Sequence, residues 1–119
     1  MALSIKPYIE NKERIHLIGI GGVSMNSLGE LLLSRGVPIS GSDRLRTDVT
    51  ARLEALGAKI TYEHKPENVE GASLIVRTAA VHDDNPEIVR AHELGIPVME
   101  RAEAWGHLMR DYDNVVCLA

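Results

Sequence analysis

The sequence has no phenylalanine, and aromatic residues make up only 3% of its 119 positions. Single-stranded nucleic acid is held largely by stacking bases on aromatic faces, so that class of ligand is disfavoured. Positive charge is also in short supply. Thirteen Lys and Arg stand against 17 Asp and Glu, for a net charge of −4, and the cations form no stripe along the chain. That balance argues against a phosphate-backbone surface, and no nucleic-acid partner is expected. The lone cysteine, Cys117, excludes an internal disulfide framework and suits a reducing, cytoplasmic compartment. No apolar run approaches the ~20 residues of a membrane span. The N-terminus carries Lys6 and Pro7 but no apolar export core, so neither membrane insertion nor export is expected.

What is present is an ordinary globular composition, 45% hydrophobic and 25% charged, enough for a single core. The most informative stretch is His16-Leu17-Ile18-Gly19-Ile20-Gly21-Gly22-Val23-Ser24-Met25. An apolar run enters a glycine cluster and a helical pattern leaves it, the local grammar of strand, tight turn and helix N-terminus. Such a terminus presents unpaired N–H groups and the positive end of the macrodipole, so it favours phosphate.

Residues 1–14 read as a polar arm or short helix. Ile15–Ile20 reads as a first strand, apolar without alternation, as expected when both faces are covered. Met25, Leu28, Leu31 and Leu32 follow at helical spacing up to Gly36. Val37–Ser42 is a second strand. Thr47 or Asp48 can cap a second helix with Val49, Leu53 and Leu56 inward, ended by Gly57. Ala58–Tyr62 and Ser73–Thr78 are further strands, separated by a polar connection with a short turn. Asn85-Pro86-Glu87 combines cap, first helical position and acidic first turn, and that helix runs to Gly95. Ile96–Met99 is a fifth strand. Arg101–Arg110 reads as a helix with Ala102, Trp105, Leu108 and Met109 inward, and Asn114–Ala119 starts another strand.

A helix closed by glycine and followed by a strand recurs at Arg35-Gly36-Val37, Leu56-Gly57-Ala58 and Leu94-Gly95-Ile96. Strand–helix alternation with short connections implies right-handed crossovers. The expected fold is α/β: a Rossmann-like open parallel sheet of about five strands with helices on both faces. Ligands of such sheets lie beyond the carboxyl ends of the strands, near the switch in strand order. Those ends are Gly19–Gly22, Ser42-Asp43, Tyr62–His64 and Thr78–Val81.

The glycine turn departs from the dinucleotide fingerprint, with Ser24 in the third position and Gly22 additional, while Asp43 stands where an acid accepts from a ribose hydroxyl. Diphosphate and ribose are supported, and nicotinamide is not specified. A tight turn with no ligand, and Asp43 as a plain turn cap, are the bland alternatives. His82-Asp83-Asp84 has no second His or Cys at ligand spacing, so no metal site is expected. His64 is equally a ligand group or a surface histidine, and His16 reads as structural. No nucleophile–base pair follows from spacing, and no Gly-x-x-x-x-Gly-Lys-Thr/Ser loop is present. Within the chain the expectation is a binding site with no catalytic residue.

Together with Ser40-Gly41-Ser42-Asp43, Arg52-Leu53-Glu54-Ala55-Leu56-Gly57-Ala58, Thr78-Ala79-Ala80-Val81, Asn85-Pro86-Glu87, Gly95-Ile96-Pro97-Val98 and Arg101-Ala102-Glu103, the glycine-rich stretch resembles the N-terminal domain of the Mur ligases. The resemblance implies a domain, residues 15–113, that binds the UDP part of UDP-N-acetylmuramate. It implies that the backbone of Gly19, Gly21, Gly22, Val23, Ser24 and Met25 cradles the diphosphate. Ser42 and Asp43 would approach the uridine, His64 and Thr78, Ala79, Ala80 and Val81 would line the uracil–ribose side, and Arg101 would lie at the substrate edge. Where many relatives have a small residue this chain has Ser24, and Ala79 can offer only its backbone.

The resemblance further implies that residues 114–119 are the first strand of a central ATP-binding domain. ATP and Mg2+ would then act in the full-length enzyme, with central and C-terminal domains as partners of this one, and no cofactor in this chain. The implied reaction is an ATP-dependent amide ligation of peptidoglycan biosynthesis. ATP phosphorylates the muramate carboxylate, and the amine of L-alanine displaces phosphate. Three alternatives stay open: the same domain of the recycling ligase that adds a tripeptide, an NAD-binding regulatory module, and a domain that binds nothing until its neighbours complete the site.

Overall fold

A computed structural model of the chain describes residues 6–78 and 81–104. A short helix α1 (Lys6–Glu10) precedes strand β1 (Ile15–Ile18), helix α2 (Val23–Ser34) and strand β2 (Ile39–Ser42). Helix α3 (Asp48–Ala55), strand β3 (Lys59–Thr61), a 3-10 turn (Pro66–Val69), strand β4 (Leu74–Arg77), helix α4 (Pro86–Leu94) and strand β5 (Val98–Glu100) follow. The five strands form one parallel sheet in the order β3-β2-β1-β4-β5. The α/β fold expected from the alternation is present. Each strand is a residue or two shorter than its apolar run, because the run's ends spill into the turns.

Strand alternation sorts the core into two layers. Ile15 and Leu17 of β1 and Leu74 and Val76 of β4 join Leu28 and Leu32 of α2 and Leu53 of α3. Ile18 and Ile75 point the other way and join Val69, Ala72, Ile88 and Ala91 under α4 and the 3-10 turn. Leu56 was expected in the apolar face of α3. It is instead the C-cap of that helix and stands 53% exposed, since the helix closes one residue before it.

The local signals act as their chemistry requires. Thr47, rather than Asp48, caps α3 through a reciprocal box with Thr50. Asn85 accepts from the Glu87 N–H, Pro86 opens α4, and Gly95 closes it at φ +73°. Gly41 serves by its size. A Cβ there would stand 2.6 Å from Ile20 Cδ1 and 2.8 Å from the Leu17 carbonyl oxygen, so only glycine lets β2 pass beneath Ile20. Helical backbone resumes at Arg101 and continues to Ala104. Trp105, Leu108, Met109, Cys117 and the strand expected over Asn114–Ala119 lie outside the described residues.

Candidate functional site

Strand order reverses between β1 and β4, and a crevice of about 610 Å³ opens at the carboxyl ends on that line. Ile18 and Gly19 floor it from β1, Arg44 enters after β2, and His64 after β3. Val81, His82, Asp84, Asn85 and Pro86 form its far wall. Four segments distant in sequence thus share one cleft because parallel strands all deliver their following loops to the same edge.

The glycine turn supplies room more than it supplies donors. The amides of Gly19 and Ile20 both donate to the Ser42 carbonyl, at 2.8 and 3.1 Å. Gly22 N–H returns to the Gly19 carbonyl, and Gly21 N–H donates to Asp43 Oδ2 at 2.8 Å. The cradle expected from Gly21 and Gly22 N–H groups is therefore committed within the protein. Amides without an intrahelical acceptor are those of Val23, Ser24 and Met25, in the first turn of α2, whose N-cap Gly22 offers no side-chain cap. That turn is the anion-favouring end of a 12-residue helix.

Asp43 stands half-buried beside it. Its Oδ2 holds Gly21, its Oδ1 accepts from the Arg44 N–H at 2.7 Å, and its own N–H is fixed on the Thr61 carbonyl. Each carboxylate oxygen retains a further lone pair for a ligand hydroxyl. Ser42, one residue earlier, faces the opposite way. It is fully buried, and its hydroxyl donates to Glu87 Oε1 at 3.0 Å, which leaves no side-chain group of Ser42 for the crevice.

Glu87 is the residue that sequence reasoning missed. Its carboxylate is completely buried, yet it accepts from His16 Nε2, from Ser42 Oγ and from His64 Nδ1, the last at 2.8 Å. Burial pushes its carboxyl up, but the interactions with His16 and the hydrogen bonds from Ser42 and His64 outweigh that and hold it below the usual glutamate range. Its place in the first turn of α4 adds the favourable end of a helix dipole. Asn85-Pro86-Glu87 reads fully as a helix start, so the motif's capping role conceals the carboxylate's second one. The only sequence signal is His16, a titratable residue within an apolar strand, which requires a buried partner.

This cluster resembles a nucleophile–histidine–acid array in composition but not in geometry. Ser42 Oγ and Glu87 both meet the same nitrogen, His64 Nδ1, so that ring has no separate lone pair to take a proton from Ser42. No group of three His, Cys, Asp or Glu suited to a metal occurs among the described residues. The arrangement can bind an anion and accept from hydroxyls.

Thr78 and Arg101 sit apart. Together with Glu100 and Ala102 they line a separate depression of about 120 Å³ between β4 and β5. Val81 remains on the crevice wall, tied there by Arg77, which donates to its carbonyl and pairs with Asp83. Ala79 and Ala80 lie outside the described residues.

A family model described as "Mur ligase family, catalytic domain" matches residues 14–113. The UDP-N-acetylmuramate–L-alanine ligase of Alkaliphilus metalliredigens is 48% identical over 107 residues, which is 90% of this chain and 23% of that protein. The crystal structure of UDP-N-acetylmuramate-alanine ligase MurC from Thermotoga maritima superposes with a TM-score of 0.74 at 37% identity, over 86% of this chain and 23% of the other. A ligase from Neisseria meningitides, named for UDP-N-acetylmuramate and L-alanyl-gamma-D-glutamyl-meso-diaminopimelate, superposes at 0.68 over 75% of this chain and 28% of its own. At 24% identity that likeness shows the fold alone. The chain spans about a quarter of the length of the curated relatives it matches.

Proposed function

The chain belongs to the Mur ligase family, and from that premise we propose that it is the domain that holds the UDP part of UDP-N-acetylmuramate while L-alanine is added elsewhere in the full-length enzyme. The observation that carries this reading is the Asp43 carboxylate anchored on the Gly21 amide, beside the uncapped first turn of α2 and next to a crevice lined by Gly19, Arg44 and His64. In this reading the diphosphate sits on the amides of Val23, Ser24 and Met25, with Arg44 at the rim. Asp43 accepts from the ribose hydroxyls, and His64 and Val81 border the uridine.

The residues present do not fit a site for ATP and magnesium. The sequence carries no Gly-x-x-x-x-Gly-Lys-Thr/Ser loop, and no metal-ligating cluster occurs among the described residues. In this reading phosphoryl transfer and amide formation belong to the central and C-terminal domains of the full-length enzyme. Its contribution is positional. Binding energy gathered at the UDP end, remote from the reacting carboxylate, holds that carboxylate in place for the other domains. The names of relatives at 47–50% identity favour L-alanine over a tripeptide as the second substrate.

Asp43→Ala separates ribose from phosphate recognition. Calorimetry with UDP is expected to show about tenfold weaker binding, the loss of one charge-assisted hydrogen bond. Pyrophosphate should bind as before or tighter, because the Gly21 amide is released. An equal loss for both ligands would remove Asp43 from the ribose.

A further inference from the structure

The sheet face beneath α4 carries a line of polar side chains beside its apolar layer. Arg14 Nε donates to Ser40 Oγ at 3.1 Å, and Ser40 Oγ meets His16 Nδ1 at 2.9 Å. His16 Nε2 reaches Glu87 Oε1, which also accepts from Ser42, and His64 Nδ1 reaches Glu87 Oε2. One assignment of protons satisfies every group. Ser40 accepts from Arg14 and can give its own proton to His16 Nδ1, with the His16 proton on Nε2 toward Glu87. Ionised Glu87 has no proton to give, so each of its three partners must be a donor. His64 therefore carries its proton on Nδ1. Its other nitrogen, Nε2, has no hydrogen-bond partner among the described residues, and the ring is 20% exposed where it lines the crevice.

We propose that Glu87 is a positioning residue that fixes the tautomer of His64, so that the Nε2 facing the crevice acts as a hydrogen-bond acceptor for a ligand. A group of that kind selects a donor, a sugar hydroxyl or the imide N–H of a pyrimidine, and discriminates against a nucleoside whose edge presents only acceptors. The ligand half of this assignment rests on the reading of the crevice as a uridine diphosphate site. The tautomer half stands on the hydrogen-bond geometry together with the ionised state of Glu87.

Glutamine at position 87 makes the assignment testable. It keeps the shape but has one acceptor oxygen and one donor nitrogen. With the oxygen retained on His16 and Ser42, the amide nitrogen stands as a donor against His64 Nδ1, closer than Ser42 Oγ at 3.1 Å, and favours the ring proton on Nε2. Long-range nitrogen–proton NMR of the 119-residue chain reads the protonation of each ring nitrogen directly. The wild-type chain is expected to show His64 protonated on Nδ1, and Glu87→Gln to show it on Nε2. Calorimetry should then give about tenfold weaker UDP binding for Glu87→Gln, with pyrophosphate binding unchanged.

A wild-type His64 protonated on Nε2 would overturn the proposal without recourse to any variant. So would the same tautomer in both proteins, and a tautomer switch with unaltered UDP affinity would overturn the acceptor role. If wild-type chain binds no UDP, the uridine reading and the ligand half fall together, while the NMR result still decides whether Glu87 sets His64.

Discussion

Glu87→Ala is expected to lower the stability of the domain by about 3–5 kcal/mol, a drop in Tm on the order of 10–20 °C. Three donors, His16 Nε2–H, Ser42 Oγ–H and His64 Nδ1–H, lose their common acceptor, and two of those side chains are buried with it. An unsatisfied buried donor costs about 1–3 kcal/mol, and the missing side chain adds a void at the start of α4. Chemical denaturation compared with the wild type measures the loss. A change below about 1 kcal/mol, ordinary for a surface glutamate, would mean that the buried network carries no weight.

The same carboxylate sets an acid limit. Its folded-state pKa lies below its unfolded value, so it contributes stability that is fully present above the unfolded value, about 4.3. That contribution is lost as pH falls through the folded value. Acid titration of stability should therefore be steeper below about pH 4 in the wild type than in Glu87→Gln, whose residue 87 has no proton to take up.

Gly21→Ala is expected to reduce UDP affinity at least a hundredfold, about 2.7 kcal/mol, with the fold retained. Its φ is not in the left-handed region, so backbone strain is not the reason for glycine here. Space is the reason. A Cβ at position 21 would stand 2.6 Å from Asp43 Oδ2 and 3.0 Å from Thr50 Cγ2. The carboxylate is the end of a side chain and can swing away, which preserves the core but breaks its anchor on the Gly21 amide. One methyl group thus removes the ribose acceptor and crowds the entry to the first turn of α2. Calorimetry with UDP and a thermal melt separate the two effects. Wild-type affinity in a folded variant would mean that the turn is not the approach to the ligand.

Much of the scaffold was legible because it follows from local chemistry. Apolar runs broken at Gly36, Gly57 and Gly95 mark three helix-to-strand joints, and Asn85-Pro86 marks a helix start whose geometry the structure reproduces. Parallel topology then places the carboxyl-end loops along one edge, so the crevice follows from element order. What was not legible depends on pairing at a distance. His16 and Glu87 are 71 residues apart, and they meet only because β1 lies between β2 and β4 with α4 above it. The resemblance put Ser42 at the uridine and its place at the end of β2 put it at the crevice, but strand alternation turns its hydroxyl to the α4 side. Thr78 and Arg101 ended beside β5, one strand beyond the switch, because β5 pairs with β4 there. The Gly21 amide looked free because its acceptor, Asp43, lies 22 residues on.

The most direct test of a UDP-binding crevice is a backbone-amide NMR titration of the chain with UDP-N-acetylmuramate, UDP and NAD in turn. Both UDP ligands should shift Val23, Ser24, Met25, Asp43 and His64, with NAD leaving them in place. A response selective for NAD, or UDP shifts confined to the depression beside Thr78 and Arg101, would contradict the assignment.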